Sequence, residues 1–220
     1  ETKNSPFYLK EISKEEYKTS GRVFIPSNFS IIDNATESFN TIKKIIHGLL
    51  LEDLNILTLD YIHCKTTELS TQVLLDIILK DFTKFKKIYT KIFPRDISLF
   101  PRFGGENIKN DELREMMWSV GSPATLGIGK RKYKNVVEYP LRTYSIEKNQ
   151  SEIKRMERKE LDTTELVDYV IASLDKINKR LTSEKLDDLC TVIGEILINA
   201  EEHSTTNKRF SIGFFRECTN

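Results

Sequence analysis

The sequence of 220 residues predicts an α/β (α+β) protein in which short strands alternate with amphipathic helices. One observation is the run Leu54–Asp60, typical of a buried strand, which lies between two segments with apolar residues at helical spacing. Another is the concentration of glycine and proline between residues 94 and 129. We therefore expect a small αβ domain at residues 1–100, with a mixed sheet flanked by helices, a connector at 101–150, and the helical start of a second domain at 151–220.

Composition narrows the classes of protein to consider. Hydrophobic residues make up 39% and charged residues 30%, and 34 basic residues against 33 acidic ones give a net charge of +1, which does not favour a nucleic-acid partner. No apolar run approaches the roughly 20 residues that span a bilayer, and the N-terminus has no signal-peptide core, so we expect a cytoplasmic protein without a membrane partner. Cys64, Cys190 and Cys218 lack zinc-site spacing and are expected to be free thiols.

The first hundred residues carry the elements of the predicted αβ domain. A strand is expected over residues 22–29, with Pro26 typical of an edge strand or of a strand end. Asp33 or Asn34 is expected to cap the next helix. The apolar stripe of that helix is Phe39, Ile42, Ile45, Ile46 and Leu49. After the strand Leu54–Asp60, a second helix should begin at Thr66 or Thr67. Its inward residues are predicted to be Leu69, Val73, Leu74, Ile77 and Ile78. A third strand is expected through Phe85–Phe93, with Ile88 and Ile92 facing the core.

The succession of buried strand, acidic end, polar turn and apolar helix, from Leu54–Asp60 to Thr66–Leu79, resembles the STAS domain of anti-sigma-factor antagonists. The resemblance covers about 75 residues. In that family a serine or threonine at the start of this helix can be phosphorylated, so the resemblance implies Thr66, Thr67 or Ser70 as candidates. The alternative is that Thr66 or Thr67 only caps the helix.

Two shorter patterns do not carry a function. His63 and Cys64 follow the strand, but adjacent side chains on an extended backbone point in different directions, so we expect ordinary loop residues. The stretch Gly127–Arg131 lacks the first glycine of a P-loop, which is Ala124 here, and lacks the hydroxyl residue after the lysine. We expect a basic turn, with Lys130, Arg131, Lys132 and Lys134 as a possible anion-binding patch.

Four further helical segments and two strands are predicted beyond residue 110. A short helix is expected at Asp111–Trp118, and a strand at Val136–Ile146 with a break at Pro140. Ser151–Glu160 should be helical and solvated. Asp162 and Glu165 have the spacing of a capping box for a helix whose apolar side is Leu166, Tyr169, Val170, Leu174, Ile177 and Leu181. Thr182 or Ser183 should begin the last helix, and Arg209–Arg216 should form a strand.

The last helix, Leu186–His203, has the most informative pattern in the chain. Glu195, Asn199 and His203 are spaced four residues apart and so form one stripe on a helix. An apolar set at helical spacing lies on the opposite side: Leu186, Leu189, Ile193, Leu197 and Ala200. One face should therefore pack on a core while the other presents carboxylates and a carboxamide.

Residues 194–204, GEILINAEEHS, resemble the N-box of the GHKL ATPases, which include histidine kinases, gyrase, Hsp90 and the anti-sigma-factor kinases. In that family the asparagine of this helix coordinates Mg²⁺ on the nucleotide phosphates, and in its hydrolases the glutamate four residues earlier is the general base. The resemblance implies Mg-ATP as the cofactor, Asn199 as the metal ligand, Glu195 as the catalytic base and His203 near the phosphates. Residues 151–220 would then be the first part of a GHKL-type α/β sandwich.

The sequence departs from the family at two points and leaves other functions open. The Asp-x-Gly-x-Gly box that reads adenine and the glycine-rich lid box do not occur before Asn220, so the resemblance implies an incomplete Mg-ATP site in these residues. We expect a cytosolic signalling protein with an ATPase or protein-kinase module and a protein partner. The alternative is a regulatory interaction module without nucleotide chemistry. A third, a nucleic-acid factor using Lys130–Lys134, is disfavoured by the neutral charge.

Overall fold

Helices and strands alternate along the chain, and the computed structural model divides it into two units, Glu1–Arg131 and Lys132–Asn220. The structure describes residues 21–51, 54–94, 100–125, 133–145, 151–203 and 208–217. These residues form five helices and small parallel and antiparallel sheets, so the α/β class predicted from sequence is confirmed.

The first unit is built from parallel strands joined by helical crossovers. Its elements are β1 (Arg22–Phe24), β2 (Asn28–Phe29), α1 (Ala35–Leu49), β3 (Ile56–Asp60), β4 (Thr66–Thr67), α2 (Leu69–Ile92), β5 (Arg102–Glu106), α3 (Asp111–Ser119) and a 3₁₀ turn at Pro123–Thr125. Strand β3 lies between β1 and β5, and β2 pairs with β4. We predicted a mixed sheet, but every described pair in this unit is parallel because each crossover passes through a helix.

The predictions for α1 and β3 are confirmed in outline, whereas the single strand predicted over residues 22–29 is two short strands, β1 and β2, in different sheets. Leu57 and Leu59 of β3 are completely buried. Strand β1 is at the edge of the sheet and ends before Pro26, as expected of a residue without an amide hydrogen. Three residues of the predicted α1 stripe are buried, whereas Phe39 is exposed: the buried ones are Ile42, Ile45 and Leu49. Asn34 occupies the cap position, but its side chain donates to the Asn28 carbonyl and Glu37 instead of capping the helix.

Helix α2 differs from prediction at both ends. It begins at Leu69, since Thr66 and Thr67 pair with Asn28 and Phe29 as β4 and are therefore not available as helix caps. It continues to Ile92, so the strand predicted at Phe85–Phe93 is wrong. No glycine or proline interrupts the helix, and its apolar residues satisfy helical spacing as well as strand spacing. The third strand of the sheet is instead Arg102–Glu106, whose two glycines hide any strand pattern.

The buried side of α2 was also assigned wrongly, by about half a turn. Leu75, Leu79 and Phe82 are buried, together with the polar residues Thr71, Gln72 and Asp76. The predicted inward residues Leu69, Val73, Leu74, Ile77 and Ile78 are only half-buried. The physical reason is that the helix covers the sheet with a partly polar face, which an apolar pattern does not reveal.

Residues 101–150 were predicted to be a connector, and the described residues of this range lie partly in the first unit and partly in the second. Strand β5 completes the first sheet, and α3 confirms the predicted helix, with the Asn110 side chain capping it through the Leu113 amide at 3.2 Å. Strand β6 (Val136–Ser145) belongs to the second unit. The described glycines and prolines of this region therefore lie within or between packed helices and strands.

The second unit places two helices against an antiparallel pair of strands. Its remaining elements are α4 (Glu152–Lys176), α5 (Ser183–Glu202) and β7 (Lys208–Arg216), and β6 pairs with β7. The pairing is irregular between Tyr139 and Arg142, at the proline predicted to break the strand. Gly213 allows close packing on α4, because a Cβ there would lie 2.5 Å from the Tyr169 ring. In neither unit do the described helices include one long and apolar enough to cross a bilayer.

A buried polar network ties α2 to the 3₁₀ turn in the first unit. The Asp76 carboxylate accepts hydrogen bonds from the Ser122 hydroxyl at 2.7 Å and the Gln72 amide at 2.9 Å, and Tyr61 donates to Gln72 at 3.3 Å. One Asp76 oxygen, Oδ2, has no hydrogen-bond partner among the described residues. Burial raises the pKa of Asp76 to about 6, against the opposing effects of the Ser122 and Gln72 hydrogen bonds and of Lys80.

The pKa of Asp76 predicts how stability depends on pH. Since the folded state holds this proton more tightly than the unfolded state, the free energy of unfolding should fall as pH rises from about 4 to about 6, by up to about 3 kcal/mol. Asp76→Asn should lose that component. Urea unfolding of both proteins between about pH 4 and 7 measures it. Exposed Asp33→Asn is the matched control, and identical pH profiles for Asp76→Asn and wild type would contradict the prediction.

Candidate functional site

Helix α5 presents the predicted polar stripe to solvent. Glu195, Asn199 and His203 are all exposed, and His203 ends the helix with its backbone amide bonded to the Asn199 carbonyl at 3.0 Å. Thr182 caps the helix by accepting from the Lys185 amide at 3.3 Å, as predicted. The structure therefore brings the three candidate residues onto one accessible face.

The opposite side of α5 packs against the rest of the unit. Leu197 and Gly194 are buried, and Leu186, Leu189 and Ile193 are half-buried. Ala200, which we placed with the apolar set, is exposed instead. The two-faced character predicted for this helix is confirmed, although its buried face is narrower than expected.

Helix α4 is one continuous helix of 25 residues and has no break at Asp162. The predicted capping box at Asp162 and Glu165 is therefore wrong, and Ser151 is the residue before the helix. Glu165 pairs with Arg142 of β6 at 2.6 Å. On the predicted apolar side, Leu166, Tyr169, Val170 and Leu174 are half-buried, whereas Ile177 is exposed at the helix end.

A buried ion pair joins Asp162 of α4 to Arg209 of β7. Their side chains are 8% and 5% exposed, and the Arg209 guanidinium also lies over the Tyr144 ring at 5.0 Å. Burial raises the pKa of Asp162, while the charges of Arg209 and Arg158 lower it. This contact fixes the start of β7 against the middle of α4.

Glu201 extends the same network to α5. Its carboxylate lies 3.2 Å from Arg155, 3.7 Å from Arg158 and 3.7 Å from Arg209. Glu201 is two residues after Asn199 and faces the opposite way, so the network holds the turn of α5 that carries Asn199. The charges that hold the helix are thus separate from the side chains that α5 exposes.

A groove of about 490 Å³ runs between α4 and α5, with Glu195 at its edge. Its lining residues are Met156, Lys159, Glu160, Thr163, Thr164, Cys190, Thr191, Gly194 and Glu195. The groove is open and mainly apolar in its walls. Glu195 therefore borders both the groove and the exposed stripe.

The exposed stripe presents side-chain oxygen atoms that can bind a ligand. Within the part of the chain that the structure describes, the Asn199 carboxamide and the Glu195 carboxylate form no side-chain hydrogen bond or ion pair. Val192 and Ile196, 55% and 59% exposed, lie beside them on the same face. The described residues contain no group of three or more His, Cys, Asp or Glu side chains that could hold a metal alone. A magnesium ion shared with phosphates needs only one or two protein ligands.

Other candidate residues lie in the first unit and do not form a reactive centre. Cys64 is buried 3.1 Å from the Thr67 hydroxyl, and burial raises the pKa of its thiol, which makes it less nucleophilic. His63 is exposed and packs on Phe24. Ser70 is exposed in the first turn of α2, where its hydroxyl donates to Glu68.

Two more features singled out from the sequence are the acidic end of β3 and the basic patch. Asp60, the acidic end of β3, has both carboxylate oxygens occupied, by Arg22 on one and by Asn107 and the Ile62 amide on the other. Of the predicted basic patch, Lys130, Arg131 and Lys132 lie outside the described residues, and Lys134 is exposed.

Comparison of the chain with models of known protein families, with curated proteins and with solved structures found no match.

Sequence reasoning missed the Asp162–Arg209 ion pair, a contact that supports the helix carrying the candidate site. A signal was present, because Asp162 precedes Leu166 by four residues and Tyr169 by seven and so shares their side of α4. A charged residue on an inward stripe predicts a buried partner of opposite charge.

Removing one charge of this pair should destabilise the second unit strongly. Arg209→Met leaves the buried Asp162 carboxylate without its partner, which should cost about 3–5 kcal/mol of unfolding free energy, and adding Asp162→Leu should recover much of that loss. The control is Lys185→Met, which breaks the exposed Lys185–Asp188 pair and should cost less than about 1 kcal/mol. Equal losses in the two single variants, measured by urea unfolding, would show that the buried pair has no special weight.

Proposed function

We propose that this chain is part of a signalling or regulatory protein whose second unit supplies the N-box half of a GHKL-type Mg-ATP site. The observation that carries the proposal is the pair of exposed side chains Asn199 and Glu195, one helical turn apart and without partners among the described residues. They lie on a helix whose other face is held by packing and by Glu201. A rigid helix that presents unpartnered polar groups is suited to binding a ligand.

The residues present fit the role that the resemblance implies. The Asn199 carboxamide oxygen is a hard, neutral ligand of the kind Mg²⁺ accepts, and the ion would neutralise charge on the nucleotide phosphates. Glu195 would orient a water molecule and take its proton if the reaction is hydrolysis. His203, exposed at the helix end, would face the phosphates. The exposed Val192 and Ile196 provide an apolar surface that the remainder of such a site would cover.

A regulatory role for the first unit rests on its similarity to the STAS pattern. The order β3, turn, β4, α2 supports that similarity, and of the three hydroxyl candidates only Ser70 lies at the start of the helix. Thr66 and Thr67 are strand residues in β4. We therefore assign any phosphorylation of this kind to Ser70.

The test of the nucleotide site is thermal unfolding of the natural full-length chain with and without Mg-ATP. Mg-ATP should raise the unfolding midpoint, since a ligand at about 100 times its Kd stabilises the folded state by about 2.7 kcal/mol. Asn199→Ala should abolish the shift. Glu195→Gln should keep the shift and lower ATP hydrolysis by about 100-fold or more if Glu195 is the base.

Asp187→Asn is the matched control, because Asp187 is exposed on the same helix two turns from Glu195. Its response to Mg-ATP should equal that of the unmodified chain. A full-length chain that shows no shift with Mg-ATP, or one whose shift survives Asn199→Ala, would refute the nucleotide site.

A further inference from the structure

The second half of α2 exposes an apolar stripe in the part of the first unit that the structure describes. Phe85, Ile88, Ile92 and Phe93 are 47%, 60%, 63% and 48% exposed. At 100° per residue, Phe85, Ile88 and Ile92 lie about a third of a turn from the buried residues Leu75, Leu79 and Phe82, and Phe93 follows at the end of the helix. The stripe is therefore a separate face of the helix. We call the segment that carries it, residues 84–93, the α2 tail.

Aromatic contacts hold the α2 tail in place without covering it. Phe100 packs edge-on against Phe85 and Tyr89, with ring centroids 5.5 and 5.1 Å apart. The Lys86 ammonium donates to the Phe100 carbonyl at 2.9 Å. The stripe is thus displayed on a fixed helix, and exposed apolar patches of this kind commonly mark interaction sites.

Positive charge lies along one side of the stripe. Residues 80–93 contain five lysines and a single acidic residue, Asp81, although the whole chain has a net charge of only +1. Lys84, Lys87 and Lys91 are exposed and lie next to Ile88 on the helix surface. An apolar stripe bordered by basic residues is complementary to a surface that is anionic outside and apolar beneath.

The basic residues of this segment are all lysines, which favours a lipid surface over a protein as the partner. Protein interfaces are enriched in arginine and depleted in lysine, and residues 80–93 contain no arginine. Lysine side chains can extend their charged ends toward lipid headgroups while their stems lie on apolar surface. Phe85 and Phe93 supply large apolar side chains for the boundary between headgroups and acyl chains.

We propose that the α2 tail docks on the surface of an anionic phospholipid membrane, with Ile88 and Ile92 entering the interface and Lys84, Lys87 and Lys91 facing the headgroups. Docking of this kind is peripheral and needs no spanning segment. It is independent of nucleotide binding by the second unit.

The test is sedimentation of the full chain with phosphatidylcholine vesicles that contain or lack phosphatidylserine. Binding should require phosphatidylserine and weaken as salt is raised. Replacing Lys84, Lys87 and Lys91 with Gln should weaken binding by on the order of 100-fold, because each lysine near an anionic surface contributes about fivefold. Ile88→Ser with Ile92→Ser should also abolish binding.

The charge control replaces Lys43, Lys154 and Lys179, all exposed outside α2, with Gln and should leave binding unchanged. A second measurement uses Ile88→Trp, whose emission should shift to shorter wavelength on phosphatidylserine vesicles alone. Absence of binding to those vesicles, equal loss in the charge control, or binding that survives Ile88→Ser with Ile92→Ser would overturn the proposal. Preference for soluble polyglutamate over vesicles would assign the surface to an acidic protein partner and overturn it too.

Discussion

The buried ion pair between Arg209 and Asp162 determines how the second unit is assembled. It connects the first residues of β7 to the middle of α4, and through Glu201 it reaches the last turn of α5. A charge pair with both side chains under a tenth exposed is weak as a source of net stability, but it penalises any arrangement that separates the partners. Charges on the far side of the helix, together with its packing, therefore help to fix the position of the Asn199 turn.

Secondary structure was predicted correctly where apolar residues follow one spacing, either that of a helix or that of a strand. The prediction failed where the same residues fit both spacings. The run ending at Asp60 and the two-sided helix around Leu197 were predicted well because burial alone explains them. Residues 85–93 were misassigned because aromatic and branched residues fit a strand as easily as a helix. Strand β5 was missed because two glycines interrupt its pattern, and one of them, Gly105, is required by close contact, since a Cβ there would lie 2.7 Å from the Ala124 carbonyl oxygen.

The candidate site was predictable in part for a similar reason. Helical spacing alone places Glu195, Asn199 and His203 on one face, and the structure has them there. What supports that face depends on contacts between residues distant in sequence, such as Asp162 with Arg209, 47 positions apart. Local spacing contains no direct information about such pairs. The buried Asp76 network, which joins α2 to Ser122, escaped prediction in the same way.

The contact of Gly213 with Tyr169 limits which sequences can adopt the second unit. The Tyr169 ring occupies the space where any side chain at position 213 would begin. The two positions therefore cannot vary independently, because a methyl group on the strand requires a smaller residue on the helix. Among distant relatives, glycine should accompany an aromatic residue at this crossing, and larger strand residues should accompany small helix residues. Such a correlated pair would identify this fold where overall similarity has been lost.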